Sequence, residues 1–356
     1  MNRLRDLQDV LSQNDFDALL LTSSVARLYA TGFFSSAGMV LVTRTEGFMF
    51  TDDRYLDDAR SKIAGFTVGG VSRKNDYTRV IGPLLEANGV RTLGYEKDTL
   101  TVGLYDDLRE AWGPLNWVSA QKPLDLLRMV KSPWEIERMR AAQRVAETAF
   151  LGVLPQIEAG KTEKEICRSL IQHMYQAGAD RLSFDPIVLS GPNTALPHGR
   201  AGDRALMRGD FLMLDFGVVV DDYCSDTTRM VAIGTADSQM LGVYSAVIRA
   251  QEAGIAKARA GATGADIHNA ALEVVKDAGY GPRLLHSFGH GLGLKVHEQG
   301  GASPAETMPL PAGFVMSAEP GIYLPGRFGV RVEDVVVLRE GGCENLTNLS
   351  KELIIA

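Results

Sequence analysis

Residues 210–235 limit the possible fold more than any other stretch of this sequence. Alternating β-prone residues run through DFLMLDFG and CSDTTRMVAIG, and the turn signal at 220–222 between them predicts a β-hairpin. If the turn is centred between positions 220 and 221, Asp215 and Asp226 face each other across the two strands. Two opposed like charges destabilise a sheet, and a buried unpaired carboxylate costs more still. A metal ion bound between the two aspartates would remove both penalties.

A second stretch, residues 313–338, repeats this arrangement. Two strand-like runs flank a turn rich in Pro and Gly around Gly326, and Glu319 and Glu333 lie at equal distances from that glycine. The two glutamates are therefore also expected to face each other. The repeat predicts two related hairpins in a sheet with pseudo-two-fold symmetry, with helices on the outer face of the sheet.

The segment SFGHGLGLKVHE lies between the hairpins and contains His290 and His297. A single acidic residue on a strand is usually solvated or salt-bridged. Four carboxylates and a histidine on two hairpins and their connecting loop require another explanation, because oxygen-rich ligand sets suit hard divalent cations. The sequence therefore predicts a site for a pair of divalent metal ions.

Five motifs, DFG, SDTTR, HGLGLKVHE, EPGIY and VRVED, occur along the chain in that order. In these motifs the sequence resembles the metallopeptidases with the pita-bread fold, a family that contains Xaa-Pro aminopeptidases, Xaa-Pro dipeptidases (prolidases), methionine aminopeptidases and creatinase. The resemblance implies an α+β chain, with a creatinase-like α/β N-terminal domain followed by a pita-bread catalytic domain.

The boundary between the two domains is predicted from local signals. Helix and strand patterns alternate up to residue 120, as expected of a small α/β domain. The run Ser132-Pro133-Trp134-Glu135 then combines an N-cap serine, a proline at the first helical position and a capping-box glutamate. We assign residues 1–123 to the N-terminal domain and residues 124–356 to the catalytic domain.

The resemblance also implies which residues bind the metal ions. Asp226 and Glu333 match the two carboxylates that bridge the ions. Asp215 matches the ligand of one ion alone, and His290 and Glu319 match the ligands of the other. Oxygen-rich coordination with a single histidine favours manganese, with cobalt and zinc as alternatives.

Further roles near the metal ions follow from the same motifs. The resemblance implies that Glu319 also shuttles the proton, and that His198 and His297 contact the substrate and its tetrahedral intermediate. Arg331 lies two residues before Glu333 on the same strand face, and we expect it to hold a ligand carboxylate in place.

Some candidate residues are assigned no direct role. His173 and His268 have no partner at ligand spacing and are expected to be structural, whereas His286 is expected to support the site or to pack beside it. Cys224 lies close to Asp226 but is expected to be a small core residue, as free cysteines usually are.

Composition excludes several other classes of protein. The 356 residues carry a net charge of −7, which argues against a nucleic-acid partner and against a basic membrane patch. No apolar run approaches the roughly 18 residues that a membrane-spanning helix needs. The first residues lack an apolar signal core, and the three cysteines show no zinc-type spacing. We expect a cytoplasmic protein with reduced thiols, which forms a homodimer.

The predicted reaction is hydrolysis of the Xaa-Pro bond at the N-terminus of short peptides. Two divalent ions about 3.5–4 Å apart share and activate a water, which suits amide hydrolysis. An Xaa-Pro aminopeptidase is favoured over a dipeptidase, because residues 298–318 contain no Arg or Lys that could bind the carboxylate of a dipeptide. Arg327, His198, or a residue of the N-terminal domain or of a second subunit remain alternatives for that task.

The other functions that this fold supports fit less well. A non-catalytic binding module or a metal-independent, creatinase-like amidinohydrolase would lack part of the ligand set, and all five ligands are present here. Methionine aminopeptidases usually lack a creatinase-like N-terminal domain, and about 120 residues of this chain fit one.

Overall fold

The N-terminal part of the chain folds around one mixed sheet. This computed structural model describes residues 3–356, and the chain divides into two compact units, Met1–Arg128 and Met129–Ala356. The elements of the first unit are α1 (Arg3–Gln13), β1 (Ala18–Leu21), α2 (Ser24–Thr31), β2 (Met39–Thr43), β3 (Gly47–Asp52), α3 (Leu56–Lys62), β4 (Thr67–Val71), α4 (Tyr77–Ala87), β5 (Thr92–Tyr95), α5 (Val102–Trp112), β6 (Asn116–Ser119) and α6 (Gln121–Met129).

The six strands of this sheet follow the order β4-β3-β2-β1-β5-β6. β1, β2 and β3 pair antiparallel, whereas β4, β5 and β6 pair with their neighbours in parallel. A helix precedes each of the last three strands in the chain and supplies the crossover that parallel pairing needs. The N-terminal unit is therefore the α/β domain that the sequence predicts. The predicted boundary after residue 123 falls inside α6.

The catalytic unit begins with two long helices on one side of a sheet. Its first half consists of α7 (Pro133–Val153), α8 (Glu163–Gln176), β7 (Arg181–Leu182), β8 (Ile187–Ser190), β9 (Phe211–Phe216), β10 (Val218–Val220), β11 (Tyr223–Cys224) and β12 (Thr227–Ala232). β8, β9 and β12 join the C-terminal strand β20 (Ile354–Ile355) in the order β20-β12-β9-β8. Alternate residues of β9, Leu212, Leu214 and Phe216, pack against buried residues of α7 and α8.

The second half repeats this plan. It consists of α9 (Ser238–Lys257), α10 (Gly264–Asp277), β13 (Gly289–Gly291), β14 (Glu298–Ala302), β15 (Val315–Ala318), β16 (Gly321–Leu324), β17 (Phe328–Arg331), β18 (Asp334–Arg339) and β19 (Gly342–Asn345). Five strands form a sheet in the order β14-β13-β15-β18-β19, while β16 and β17 pair separately. Val243 and Val247 of α9 share a core with Met316 and Val336 of this sheet. Each acid-bearing hairpin thus lies beside its own pair of helices, as predicted.

The first two helices of the catalytic unit begin with capping boxes, and the first of these is one that the sequence predicts. Ser132 and Glu135 form a reciprocal capping box at the start of α7, and Thr162 and Glu165 form another at the start of α8. Both helices bury one face and expose charged residues on the other. No helix within residues 3–356 is long and apolar enough to cross a bilayer.

The first acid-bearing hairpin differs from its predicted register. Its turn consists of Asp221 and Asp222, which both have positive φ (49° and 74°) and form the two-residue turn whose twist suits a hairpin. Asp215 pairs with Thr228, so the prediction that Asp215 lies directly opposite Asp226 is wrong. Asp226 is two residues from that position, and the alternation of strand side chains keeps it on the same face.

The second hairpin has the predicted register. β15 pairs with β18 and β16 pairs with β17 in one continuous alignment, in which Ala318 lies opposite Asp334. Continuing that alignment by one residue places Glu319 opposite Glu333. Neither glutamate belongs to a paired segment, because both lie where the hairpin passes from one sheet to the other.

Candidate metal centre and active site

The five predicted metal ligands line one cavity of the catalytic unit, with a volume of about 690 Å³. Asp215 lies in β9 and His290 in β13, whereas Asp226, Glu319 and Glu333 occupy the short breaks between strands. Two different sheets therefore contribute polar side chains to the same space. The structure brings the predicted ligands together even though the register of the first hairpin differs.

His290 is oriented with one ring nitrogen facing the carboxylates. Its Nδ1 lies 3.2 Å from the carbonyl oxygen of Gly291, which can only accept a hydrogen bond, so Nδ1 carries the proton. Nε2 then presents a lone pair, 3.3 Å from Oε1 of Glu319 and 3.6 Å from Oδ2 of Asp226. Burial lowers the pKa of His290, which keeps the ring neutral. A cation among these acceptor atoms would satisfy all of them.

Two more buried oxygen atoms lack a hydrogen-bond donor. Oδ1 of Asp215 and Oε1 of Glu333 have no partner within residues 3–356. The other oxygen of Glu333 accepts a hydrogen bond of 2.8 Å from the hydroxyl group of Thr228. Ligand atoms of Asp226, His290 and Glu333 lie within 4.8 Å of one another. These residues fit a centre of divalent metal ions, because buried acceptors without donors are otherwise rare in folded proteins.

The crowding of carboxylates changes their acidity. Burial is the largest cause that raises the pKa values of Asp226 and Glu333 well above the ordinary range, and neighbouring carboxylates raise them further. Burial also raises the pKa of Glu319. In the absence of cations this site favours protonated carboxyl groups, so binding of metal ions would release protons.

Arg331 contacts one of the carboxylates that are predicted to bind metal. Its guanidinium group donates hydrogen bonds to Oδ2 of Asp215 and, at 2.8 Å, to the hydroxyl oxygen of Tyr323. It also donates to the carbonyl oxygen of Pro197, at 3.3 Å. Arg331 is buried, and its contact with Asp215 is the one expected of it from the sequence.

His286 joins the same network and lines the cavity. Its Nδ1 donates to the carbonyl oxygen of Ser287 at 2.8 Å, so Nε2 is the acceptor and receives a hydrogen bond of 2.8 Å from the hydroxyl group of Tyr323. Burial lowers the pKa of His286 and raises that of Tyr323 to about 12, so both groups are neutral near pH 7. His290 faces the carboxylate oxygens of Asp226 and Glu319. His286 instead contacts Tyr323 and the backbone of Ser287, and so supports the site indirectly.

The two histidines predicted to contact the substrate also lie on the cavity wall. The edge of the His297 ring packs against His290, with 4.1 Å between the ring centroids. Burial lowers the pKa of His297. His198 is exposed and lies on the loop that follows a 3-10 turn at Gly191–Ala195.

The remaining candidates lie away from the carboxylate cluster. His173 forms a hydrogen bond of 2.8 Å with Gln156, and buried His268 accepts one of 3.2 Å from the backbone N–H of Phe288. Neither side chain lines the cavity, so the prediction that they have no direct role stands. Cys224 is buried, and burial raises the pKa of its thiol to about 11, so it resembles a core residue rather than a metal ligand.

Three polar residues of the site were missed by the sequence argument. Thr228 and Ser317 donate hydrogen bonds to carboxylates that are predicted to bind metal, and Tyr323 joins Arg331 to His286. Thr228 lies two residues after Asp226, and Ser317 two residues before Glu319. Residues two positions apart on a strand have their side chains on the same face, so this spacing could have identified Thr228 and Ser317 from the sequence.

Both parts of the chain match described protein families. Residues 137–340 match the metallopeptidase family M24, and residues 3–130 match the creatinase/prolidase N-terminal domain. The chain belongs to metallopeptidase family M24. The family and the α+β fold class predicted from the motifs are therefore confirmed, and membership makes this protein an enzyme that uses divalent metal ions.

Similar family M24 proteins cover the full length of this chain. The Xaa-Pro dipeptidase of Pyrococcus furiosus is 30% identical over 353 residues, which are 99% of each chain. The crystal structure of an X-Pro aminopeptidase from Thermotoga maritima has a TM-score of 0.92 and 36% identity, with complete coverage of both chains. An Xaa-Pro dipeptidase from Bacillus anthracis has a TM-score of 0.95, 34% identity and 99% coverage of each chain.

Proposed function

We propose that this family M24 enzyme hydrolyses the Xaa-Pro bond at the N-terminus of short peptides with the help of two divalent metal ions. The observation that carries the proposal is a cluster of buried acceptor atoms in one cavity. Nε2 of His290 faces carboxylate oxygens of Glu319 and Asp226. Oδ1 of Asp215 and Oε1 of Glu333, in the same cavity, have no hydrogen-bond donor within residues 3–356. Support for proline specificity comes from the similar proteins, which are X-Pro aminopeptidases and Xaa-Pro dipeptidases.

The ligand roles we propose are those that the motifs imply. Asp226 and Glu333 bridge the two ions, Asp215 binds one ion, and His290 with Glu319 binds the other. When bound, the ions lower the pKa of a water molecule and polarise the peptide carbonyl group. Manganese fits an oxygen-rich site with one histidine best, and cobalt and zinc are the alternatives.

Glu319 is proposed to accept the proton of the attacking water. Burial raises the pKa of this carboxyl group, which brings it nearer to the range in which a general base works at neutral pH. The hydroxyl group of Ser317 donates to Oε1 of Glu319 at 3.0 Å and accepts the backbone N–H of His290 at 2.9 Å. This hydroxyl group holds the base and a metal ligand in a fixed relation to each other.

His297 and His198 are proposed to stabilise the oxygen on which charge develops. Burial lowers the pKa of His297, so a neutral ring with one N–H donor stands on the cavity wall at neutral pH. A donor fixed in this way contributes most when charge develops in the transition state. His198 is exposed, so it reaches the substrate from the solvent side of the cavity.

We propose that peptides longer than two residues are the better substrates. A dipeptidase has to bind the free carboxylate of its substrate, and Arg is the side chain best suited to that. Residues 298–318 contain no Arg or Lys, and Arg327 does not line the described cavity. Arg331 does line it but already donates to Asp215 and Tyr323.

One observation favours the dipeptidase as a second candidate. Arg200 lines the cavity two residues after His198, is exposed, and has no ion pair within residues 3–356. A carboxylate at this end of the cavity could therefore be bound by Arg200.

The two candidate functions are separated by measuring kcat/KM for Ala-Pro and Ala-Pro-Ala with the wild type and with Arg200→Ala. An aminopeptidase would show the higher kcat/KM for Ala-Pro-Ala, and Arg200→Ala would lower that value only slightly. A preference for Ala-Pro that disappears in Arg200→Ala would instead show a dipeptidase whose clamp lies on the His198 loop. The cytoplasmic location and the homodimer remain predictions.

A further inference from the structure

Glu163 is a fully buried carboxylate that lies outside the cavity. It occupies the first position of α8, where the positive end of the helix favours a negative charge. The roles proposed above give Glu163 no part in the reaction. A buried carboxylate is nevertheless costly unless hydrogen bonds compensate for its burial, so its partners indicate what it does.

All four hydrogen bonds to the Glu163 carboxylate come from residues that bracket His198. Oε1 accepts the backbone N–H of Ser190 at 2.7 Å, the hydroxyl group of the same serine at 2.9 Å and the side-chain amide of Asn193 at 2.9 Å. Oε2 accepts the backbone N–H of Gly202 at 2.9 Å. One carboxylate thus ties together the two ends of the loop 190–202.

The imidazole of His198 has no hydrogen bond of its own within residues 3–356, so the loop backbone determines where the ring stands. The loop is also fixed between its ends. The backbone N–H of Gly329 donates to the hydroxyl group of Thr194 at 2.7 Å, and Arg331 donates to the carbonyl oxygen of Pro197. Arg331 also binds Asp215, so the loop is held in register with the proposed metal centre.

We infer that Glu163 is the positioning residue for His198: its buried carboxylate fixes the loop that carries this histidine over the metal centre. The inference rests on the function proposed above, in which His198 contacts the substrate. Small displacements of a group that acts in the transition state can lower the rate about 100-fold. Loss of Glu163 should therefore slow the reaction through His198.

The test is a double-mutant cycle with the metal-loaded enzyme, Ala-Pro-Ala as substrate, and the variants Glu163→Gln, His198→Ala and their combination. Gln keeps the shape of Glu163, but its amide group cannot accept hydrogen bonds at both ends. We expect kcat to fall about 10–100-fold in Glu163→Gln, with two ions per chain retained. The double variant should be no slower than His198→Ala. If the loss of kcat in the double variant equalled the product of the losses in the two single variants, the inference would be overturned.

The matched control is Glu165→Gln, two residues further along the same helix. Glu165 accepts hydrogen bonds from Thr162 only, and both go to one oxygen that the amide of Gln can replace. This variant therefore at most weakens a helix cap and loses no described contact with the loop 190–202. Its kcat should stay within about twofold of the wild type. An equal loss in both variants would show a general effect of destabilising α8 and would overturn the inference.

Hydrogen exchange gives a readout that does not depend on the substrate. Amide exchange in the loop 190–202 should accelerate in Glu163→Gln and remain unchanged in Glu165→Gln. Unchanged exchange in Glu163→Gln would refute the anchoring role even if activity fell. If the wild type hydrolysed no Xaa-Pro peptide, the proposed function would fail, while the exchange result would still decide whether Glu163 fixes the loop.

Discussion

Replacing Glu333 by Gln should stabilise the protein once its metal ions have been removed. Ligand oxygens of Glu333 and Asp226 lie within 4.8 Å of each other. Two charges at that distance repel by about 3.5 kcal/mol at an effective dielectric constant of about 20. The metal-free site can avoid this repulsion only by protonating a carboxyl group, which also costs free energy at pH 7.5. Gln has the same shape and avoids both costs, so the free energy of unfolding at pH 7.5 should rise by about 2–4 kcal/mol. For a catalytic unit of this size, the melting temperature should rise by about 6–12 °C.

Glu298→Gln provides a matched control with the opposite expected sign. The side chain of Glu298 is only 4% exposed, but Nζ of Lys131 lies 3.0 Å from its Oε2. Removing one partner leaves the other charge buried and unpaired, which typically costs about 3–5 kcal/mol. Thermal unfolding of both variants after dialysis against a chelator, followed by circular dichroism, compares them directly. A metal-free Glu333→Gln protein that melts at or below the wild-type temperature at pH 7.5 would refute the electrostatic reasoning.

The pH dependence of this effect follows from the direction of the pKa shifts. Burial and neighbouring carboxylates raise the pKa values of Glu333 and Asp226 in the folded protein. Between the ordinary carboxyl range and these raised values, the folded state binds more protons than the unfolded state, so stability increases as the pH falls. The metal-free wild type should therefore gain stability from pH 7.5 towards pH 5, and the advantage of Glu333→Gln should shrink over the same interval.

Three further predictions concern individual side chains. Glu319→Gln should lower kcat by about 10²–10⁴-fold, because a positioned proton acceptor is lost, and metal analysis should still find bound ions. His297→Ala should lower kcat, whereas His268→Ala should lower the melting temperature with little change in kcat, because truncating this buried ring leaves a cavity. Arg331→Lys should weaken metal affinity about 10–100-fold in calorimetric titrations, because one ammonium group cannot replace the guanidinium hydrogen bonds.

Periodicity and motif order were sufficient to select five residues that the structure brings into one cavity. The second hairpin was predicted in register because its Pro-Gly turn lies midway between Glu319 and Glu333. The turn of the first hairpin was predicted one residue too early, which shifts the predicted strand pairing by two residues. This happened because Asp221 and Asp222 both adopt positive φ, which is uncommon for residues other than Gly. The predicted ligand set is unaffected by this error, because residues two positions apart on a strand have their side chains on the same face.

Contacts between distant segments had no signature in the sequence. Glu163 reaches the loop 190–202 only because α8 packs beside β8. In the sequence, Tyr323 is part of an ordinary strand pattern. Its partner Arg331 is brought to it by the hairpin, and its partner His286 by a separate loop. Local patterns identify which face a residue occupies, but tertiary packing decides what it meets there.

The central claim is that two divalent ions bound by five residues of this chain carry out Xaa-Pro hydrolysis. Its most direct test is a titration of metal-free protein with manganese in which bound ions per chain and turnover of Ala-Pro-Ala are measured in the same samples. We predict that turnover is absent without metal, reaches its maximum at two ions per chain, and is lost at all metal concentrations in Asp226→Ala. Full turnover by metal-free protein, or a maximum at one ion that Asp226→Ala also reaches, would contradict this account.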